Sequence, residues 1–312
     1  MTPYVVFNGA TGGLGRHLGA AMADRSLSSW PIRTRLGDSA GFAHELDQLP
    51  MERGSIATFI QSAGMVSIKE CEENPAAAHD VNVGRTVATV ETFIDWTLSH
   101  GITPGILFVS SGHVYAPPRT GTRLTETSTV EPRSVYAKTE VEGENQVRAL
   151  AAERDVQLAI CRVFGMIGPD QRHHYLLPGL ITRIRNGNLA NIPGLDFVRD
   201  YLDTRDVSRL LASLTAGLFT AGGKPPVTVV NVCSGEEIRI RDILDQLLDL
   251  YFTDDARALA KARGSVSAAL GRPTDIPWSV GDPSLLSQLV EGPIRTVPIV
   301  DTLADALAAD PA

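Results

Sequence analysis

Three glycines at positions 9, 12 and 15, in the run Gly9-Ala10-Thr11-Gly12-Gly13-Leu14-Gly15, are the first residues of this chain whose spacing could do chemistry. That chemistry is phosphate binding. Glycine allows a tight turn, removes the Cβ that would hold a pyrophosphate off the backbone, and lets strand and helix pack closely. Free N–H groups at the following helix start then face the anion. A plain structural turn is the alternative use of such a run. About 20 residues further on, NAD binders carry an acid for the adenosine ribose, whereas an arginine accommodates a 2′-phosphate. Arg33 and Arg35 occupy that region and no acid does. NADP(H) is therefore favoured, with NAD(H) left open.

The elements that must hold these groups alternate between strand and helix. Tyr4-Val5-Val6-Phe7 is an apolar strand, and Leu14, Leu18, Ala21 and Met22 recur at helical spacing. A second strand is predicted over residues 31–36, and the polar, aperiodic stretch 37–54 predicts at most a short or irregular third. Residues 57–62 form the next strand, closed by Ala63-Gly64, whose small side chains let a cofactor approach the backbone. A helix begins after Asn74-Pro75, includes Asp80-Val81-Asn82-Val83 and continues to Thr97. Residues 105–109 give a buried strand ending in Ser110-Ser111. A helix over 135–153, strands over 156–161 and 227–232, and a helix over 240–251 follow. Such alternation implies an α/β fold, a Rossmann-like doubly wound parallel sheet with ligands at the carboxyl ends of its strands. The expected division is a dinucleotide-binding domain over 1–165, with 201–232 returning to it, and a smaller, interleaved C-terminal substrate lobe made of 166–200 and 233–312.

Composition narrows the partners. With 28 Lys+Arg against 36 Asp+Glu the formal charge is −8, which repels polyanions and argues against nucleic acid. A small anionic ligand needs a local cationic pocket. Arg162, Arg172, Arg183, Arg185, Arg199 and Arg205 are available for one, or are ordinary solvated charges. No apolar run is long enough to span a bilayer, and no basic segment followed by a hydrophobic one opens the chain, so a cytoplasmic location is expected. Cys71, Cys161 and Cys233 lie far apart without metal-ligand spacing and are expected as buried thiols. The His173-His174 pair lacks a third ligand, so no metal is expected; that loop is expected to touch substrate instead.

Taken together the landmarks resemble the extended short-chain dehydrogenase/reductase family, which includes nucleotide-sugar epimerases, dehydratases and 4-ketoreductases. The glycine turn is one of them. Ser62-Ala63-Gly64, Asn74-Pro75 and Val81-Asn82-Val83 are similar to a second stretch, and Val109-Ser110-Ser111-Gly112-His113-Val114-Tyr115 to a serine strand end. Arg162 with Gly168-Pro169, Arg199-Asp200-Tyr201 with Asp206-Val207, and Asn231-Val232-Cys233-Ser234-Gly235 complete the order. The resemblance implies that Ser111 polarises a substrate oxygen and that Tyr136 exchanges a proton with it. It also implies cofactor contacts at Asn82, Ser110 and Tyr136, and a homodimer formed through the helix carrying Tyr136 and the one before it.

One position departs from the pattern. The lysine that normally follows the tyrosine by one turn, binding the nicotinamide ribose and lowering the tyrosine's pKa, is here Glu140. Lys138 is two residues from Tyr136 and points to another side of the helix. Exchanging a cation for an anion about 5–6 Å from the phenol changes its environment by several kcal/mol even at an effective dielectric near 20. Tyr136 is therefore expected to stay protonated, with Glu140 accepting a hydrogen bond from a ribose hydroxyl. A protonated phenol serves ketone reduction, whereas alcohol oxidation needs tyrosinate.

Gly112-His113 stands where family 4,6-dehydratases carry an acidic pair. His113 reads either as an acid or base facing substrate or as a hydrogen-bonded structural residue. Gly165 replaces the asparagine usual in nucleotide-sugar enzymes. Arg199 matches the arginine that binds the substrate's diphosphate, or else pairs with Asp200, Asp203 or Asp206. The expectation is an NADPH-dependent ketoreductase acting on a nucleotide-linked keto-deoxy-sugar, an anionic carbonyl substrate. A tailoring reductase of another secondary metabolite, an epimerase and a non-catalytic NADP-binding protein are the alternatives.

Overall fold

The computed structural model describes residues 4–172, 175–219, 227–270, 275–294 and 296–309. In chain order the first half comprises β1 (Tyr4–Phe7), α1 (Gly15–Ala23), β2 (Ser28–Pro31), α2 (Ser39–Asp47), β3 (Ile56–Gln61), α3 (Ile68–Glu73), α4 (Pro75–His79), α5 (Thr86–Ser99), β4 (Thr103–Ser111) and α6 (Val135–Glu153). The second half comprises β5 (Gln157–Val163), β6 (Gly165–Ile167), α7 (Leu176–Arg185), β7 (Val198–Arg199), β8 (Tyr201–Asp203), α8 (Thr204–Leu218), β9 (Thr228–Val232), β10 (Ile238–Arg239), α9 (Ile240–Tyr251), α10 (Ala256–Ser265), β11 (Trp278–Ser279), α11 (Ser284–Leu289) and α12 (Ile299–Ala308).

Six strands form the central sheet in the order β2-β1-β3-β4-β5-β9, with every neighbouring pair parallel. Strand order reverses between β1 and β3, which opens a crevice at their carboxyl ends. Alternation along β1 sorts its side chains between two cores. Val5 and Phe7 join Leu18, Met22, Val207 and Leu211 under α1 and α8, while Val6 joins Phe42, Phe59, Phe93 and Val147 under α2, α5 and α6. β3 is buried along its whole length, as a strand covered on both faces must be. A third core gathers Leu177, Leu180 and Ile184 of α7, Ile243, Leu244 and Leu247 of α9, and Leu303 of α12. It is linked to the first part by Arg205, which bridges Asp203 and Asp305.

Two expectations about the region after α1 are corrected. The second strand is Ser28–Pro31 rather than 31–36, so Arg33 and Arg35 lie in the loop beyond it. The stretch 37–54, read as aperiodic, contains the helix α2, which Asp38 caps by accepting from the Gly41 N–H and which buries only Phe42 and Leu46. Two buried residues in nine are too few for a periodic signal. The expected helix after Asn74-Pro75 is interrupted as well, since Asp80–Arg85 forms a π-helical turn between α4 and α5.

α6 is positioned by a buried ion pair. Glu144 accepts two hydrogen bonds from Arg162 of β5, at 2.9 and 2.6 Å, and one from the Ser110 hydroxyl of β4 at 2.6 Å. Glu144→Ala would strand the Arg162 guanidinium in the interior, an expected loss of about 3–5 kcal/mol. Urea denaturation should register that loss, and the double variant Glu144→Ala, Arg162→Met should recover most of it.

Candidate active site

A cleft of about 1250 Å³ opens at the carboxyl ends of β1, β3, β4 and β5. Gly9, Thr11, Gly12, Gly13, Leu14 and Gly15 form one wall, and Ser62, Ala63 and Gly64 continue it from β3. Gly9 sits at φ +72°, a left-handed conformation that glycine adopts without strain. A Cβ on Gly15 would collide with the Gly9 carbonyl, so strand and helix approach only because that atom is missing. A Cβ on Gly13 would meet nothing nearer than 3.8 Å, leaving its surface open to the cleft. These features fit a dinucleotide, whose pyrophosphate the backbone N–H groups at the start of α1 would hold. Asn8 joins the two strand ends, accepting from the Ser62 and Ala63 N–H groups at 2.8 and 2.9 Å and donating to Gln61 at 2.6 Å. Its signal in the sequence was a polar residue closing an apolar strand.

Several expected cofactor residues prove to be tied to protein. The Asn82 amide donates to the Met65 carbonyl and the Thr139 hydroxyl and accepts from the Met65 N–H. It clamps the loop after Gly64 to α6. Ser110 spends its hydroxyl on Glu144. Arg33 and Arg35 are exposed and lie outside the cleft wall, on a loop whose Arg33 and Thr34 N–H groups are held by the Glu45 carboxylate.

The opposite wall carries the reactive groups. Ser134 caps α6 by accepting from the Ala137 N–H, and Glu72 of α3 accepts from the Val135 N–H. This fixes Tyr136 on the first helical turn, facing the end of β4. Burial, and then the neighbouring Glu140, push the Tyr136 phenol well above its ordinary value, while the Ser111 hydroxyl opposes the rise. Glu140 is only 8% exposed. Burial and the Glu144 carboxylate raise its pKa from 4.5 to about 8. Burial thus favours the neutral form of the Glu140 carboxyl, which can donate a hydrogen bond as well as accept one. Lys138 is exposed. His113 sits edge-on to Tyr136 with ring centroids 6.2 Å apart, and desolvation followed by repulsion from Arg199 lowers its pKa to about 4. A neutral imidazole can accept a hydrogen bond at one ring nitrogen and donate one at the other, but it lacks the extra proton that makes imidazolium a general acid.

Arg199 lines the same cleft, donates to the Val198 carbonyl and lies over the Phe197 ring. The three aspartates offered as its partners are engaged elsewhere. Asp200 accepts from the Ser234 and Gly235 N–H groups, Asp203 pairs with Arg205, and Asp206 pairs with Arg209. Gly165 lines the cleft as well, and a Cβ there would strike Tyr201 and the Asp200 carbonyl, so packing of β6 on β8 demands glycine. Arg172 and Tyr175 border the cleft, whereas His173 and His174 fall outside the described residues. All three cysteines are buried and free. Among the described residues no cluster of His, Cys, Asp and Glu could hold a metal, and no helix is long and apolar enough to cross a membrane.

The raised pKa of Glu140 couples to stability. Between pH 4.5 and about 8 the folded chain binds a proton there that the unfolded chain has released, so this group's contribution falls as pH rises and is fully unfavourable above pH 8. Glu140→Gln removes that dependence. The variant should melt close to the parent near pH 4.5 and a few degrees above it at pH 8.5, measured by calorimetry across the range.

Residues 5–233 match the model of the NAD dependent epimerase/dehydratase family. GDP-6-deoxy-D-mannose reductase of Pseudomonas aeruginosa is 27% identical over 262 residues, covering 80% of this chain and 81% of that protein. RMD from Pseudomonas aeruginosa complexed with NADPH superposes with a TM-score of 0.78 at 21% identity, covering 99% of this chain and 98% of the other. The UDP-glucose 4-epimerase of Thermus thermophilus in complex with NAD gives 0.73 at 20% identity, over 98% and 99% of the two chains. The chain belongs to the NAD dependent epimerase/dehydratase family, and is an NAD(P)-dependent oxidoreductase of the extended short-chain dehydrogenase/reductase type.

Proposed function

We propose that the protein is an NADPH-dependent ketoreductase acting on the carbonyl of a nucleotide-linked keto-deoxy-sugar. The observation that carries this reading is the proton inventory of the cleft. Tyr136 opens the first turn of α6 at the end of β4 with Glu140 one turn on, and burial pushes both groups toward their protonated forms. Such a wall suits donation to a developing alkoxide and opposes abstraction from an alcohol. An epimerase, which begins by oxidising its substrate, is disfavoured on the same ground. The similarity to a GDP-6-deoxy-D-mannose reductase supports the reductive direction and the substrate class.

When bound, the dinucleotide supplies the hydride. The chain's own residues do the rest. The glycine turn and the α1 N-terminus hold the pyrophosphate. Ser111 donates to the carbonyl oxygen and orients it toward Tyr136, whose phenolic proton moves to that oxygen as negative charge develops. Arg199, which faces Asp275 across the cleft lining, is assigned to the diphosphate of the substrate, with Arg172 at the same mouth. The third core, built on α7, α9 and α12, is assigned to the substrate lobe, and pairing of two copies through α5 and α6 belongs to the same reading. NADP(H) is favoured for two reasons. Arg33 and Arg35 stand beyond β2 on a loop fixed by Glu45, and the structurally similar RMD was solved with NADPH. NAD(H) stays open.

A less polar ketone is the second reading. Val66 and Ile68 are exposed at the mouth of the cleft, and Gly165 offers no side-chain amide to a sugar.

NADPH consumption should be measured against GDP-, dTDP- and UDP-linked 4-keto-6-deoxy-sugars beside a panel of aromatic ketones. Turnover of a sugar nucleotide is expected. Tyr136→Phe should lower kcat by about 10²-fold or more, and Arg199→Met should chiefly raise KM. Replacing Arg33 and Arg35 together by Ser should lower the preference for NADPH over NADH about tenfold, the equivalent of one good charge-assisted contact. Binding of NADPH without consumption across both panels would leave a non-catalytic protein. Alcohol oxidation as fast as reduction at neutral pH would overturn the reductive direction.

A further inference from the structure

Glu140 stands one turn after Tyr136 on the same face of α6, with Cβ atoms of such a pair about 5–6 Å apart. It borders the cleft, and none of the described residues hydrogen-bonds its carboxyl. The groups around it leave it without a counter-charge. On its own helix, Tyr136 is a neutral phenol and Glu144 a carboxylate already held by Arg162 of β5. From α3 comes the Cys71 thiol, raised to about 11 by burial and by Glu140 itself. The π-helical turn presents the Asn82 amide, which does not titrate, and the end of β4 presents Ser111 and the neutral His113. Arg148 leans toward Glu144, 3.8 Å away. A neutral acid is thus parked at the one place where the related enzymes are implied to carry a cation.

We propose that Glu140 is the proton reserve of the reaction, and that the carboxylate it becomes is the counter-ion of the oxidised nicotinamide. This deepens the ketoreductase reading and rests on it for the catalytic step. Two electrons leave the reduced ring as hydride and form a C–H bond at the carbonyl carbon, so the ring goes from neutral to a single positive charge. Tyr136 Oη gives its proton to the carbonyl oxygen, forming the alcohol O–H bond. Glu140 then gives up its carboxyl proton, relayed through water in the cleft to restore the Tyr136 phenol, and goes from neutral to a single negative charge. The pocket begins and ends with the same net charge. In a low-dielectric cleft that matters, because creating an isolated charge costs several kcal/mol whereas creating an opposed pair within one pocket costs far less. Glu140 recovers a proton from solvent once the oxidised cofactor leaves.

The test is a binding measurement that needs no carbonyl substrate. NADP⁺ and NADPH are titrated into the whole protein by calorimetry at pH 7, in buffers of different ionisation enthalpy. NADP⁺ should release close to one proton per site and NADPH far less. The two carry the same 2′-phosphate, so its own titration cancels in the comparison. From pH 6 to pH 8 the ratio of NADP⁺ to NADPH affinity should rise about 50-fold. In Glu140→Gln the excess proton release and the pH dependence should vanish while NADPH binding persists. Should that variant fail to fold, infrared difference spectra of the parent serve instead: a protonated-carboxyl band should disappear when NADP⁺ is added and remain when NADPH is added. Equal proton release by the two cofactors, or a carboxyl band unchanged by NADP⁺, would overturn the proposal. If proton release behaves as expected but no carbonyl is reduced, the ketoreductase reading fails and the Glu140 coupling stands. If carbonyls are reduced but proton release is absent, only the present inference fails.

Discussion

The Glu144–Arg162 pair is the interaction on which the arrangement of the cleft depends. It is nearly inaccessible to water, and Ser110 donates into the same carboxylate, so one side chain of α6 is fastened at once to β4 and β5. Where α6 sits against those strand ends decides where Tyr136 and Glu140 sit. The pair also decides their charge. Its guanidinium is committed in a fork geometry to Glu144, which leaves that cation unable to neutralise the next carboxyl up the helix. Glu140 meets burial and a neighbouring carboxylate without a compensating charge, and responds by keeping its proton.

The cofactor side of the cleft obeys a steric constraint instead. β1, the glycine turn and α1 come together only where side chains are missing, and Asn8 ties that assembly to β3 through the first backbone N–H groups past the strand end. On the substrate side the same logic returns at Gly165 and Gly168, whose missing Cβ atoms let β6 lie against Tyr201 and Thr204. Two rigid walls result, each set by backbone contact. The groups that titrate are carried on a helix between them.

Much of this was legible in the sequence because the signals were local. A glycine run after an apolar strand, and serines closing another, are readable within a few residues. α9 matched its expected limits because it has a strongly amphipathic pattern, and α6 matched although its buried face carries Glu140 and Glu144. β2 was misplaced because a four-residue edge strand with no fully buried side chain leaves no periodic trace. α2 was missed for a similar reason, having two buried residues in nine. The state of Glu140 could not be read at all. Its identity was plain, but its charge depends on burial and on where Arg162 spends its hydrogen bonds, and those are properties of the folded chain. Glu144 was within reach, since Tyr136, Glu140 and Glu144 fall at successive i, i+4 positions and share one helix face.

That spacing also bears on why a carboxyl is tolerated where the related enzymes are implied to carry an ammonium. Two acids one turn apart in a dry interior cannot both ionise cheaply. The cations beside the pair, Arg162 and Arg148, both sit on Glu144, so the second acid is the one that keeps its proton. A lysine at position 140 would lower the phenol's pKa and let the same wall take protons as readily as give them. With a neutral acid there no cation offsets burial, so the phenol stays well above its ordinary value and the wall is biased toward giving. The direction of chemistry is therefore set less by the tyrosine than by which of two neighbouring carboxyls the buried arginine has been given to.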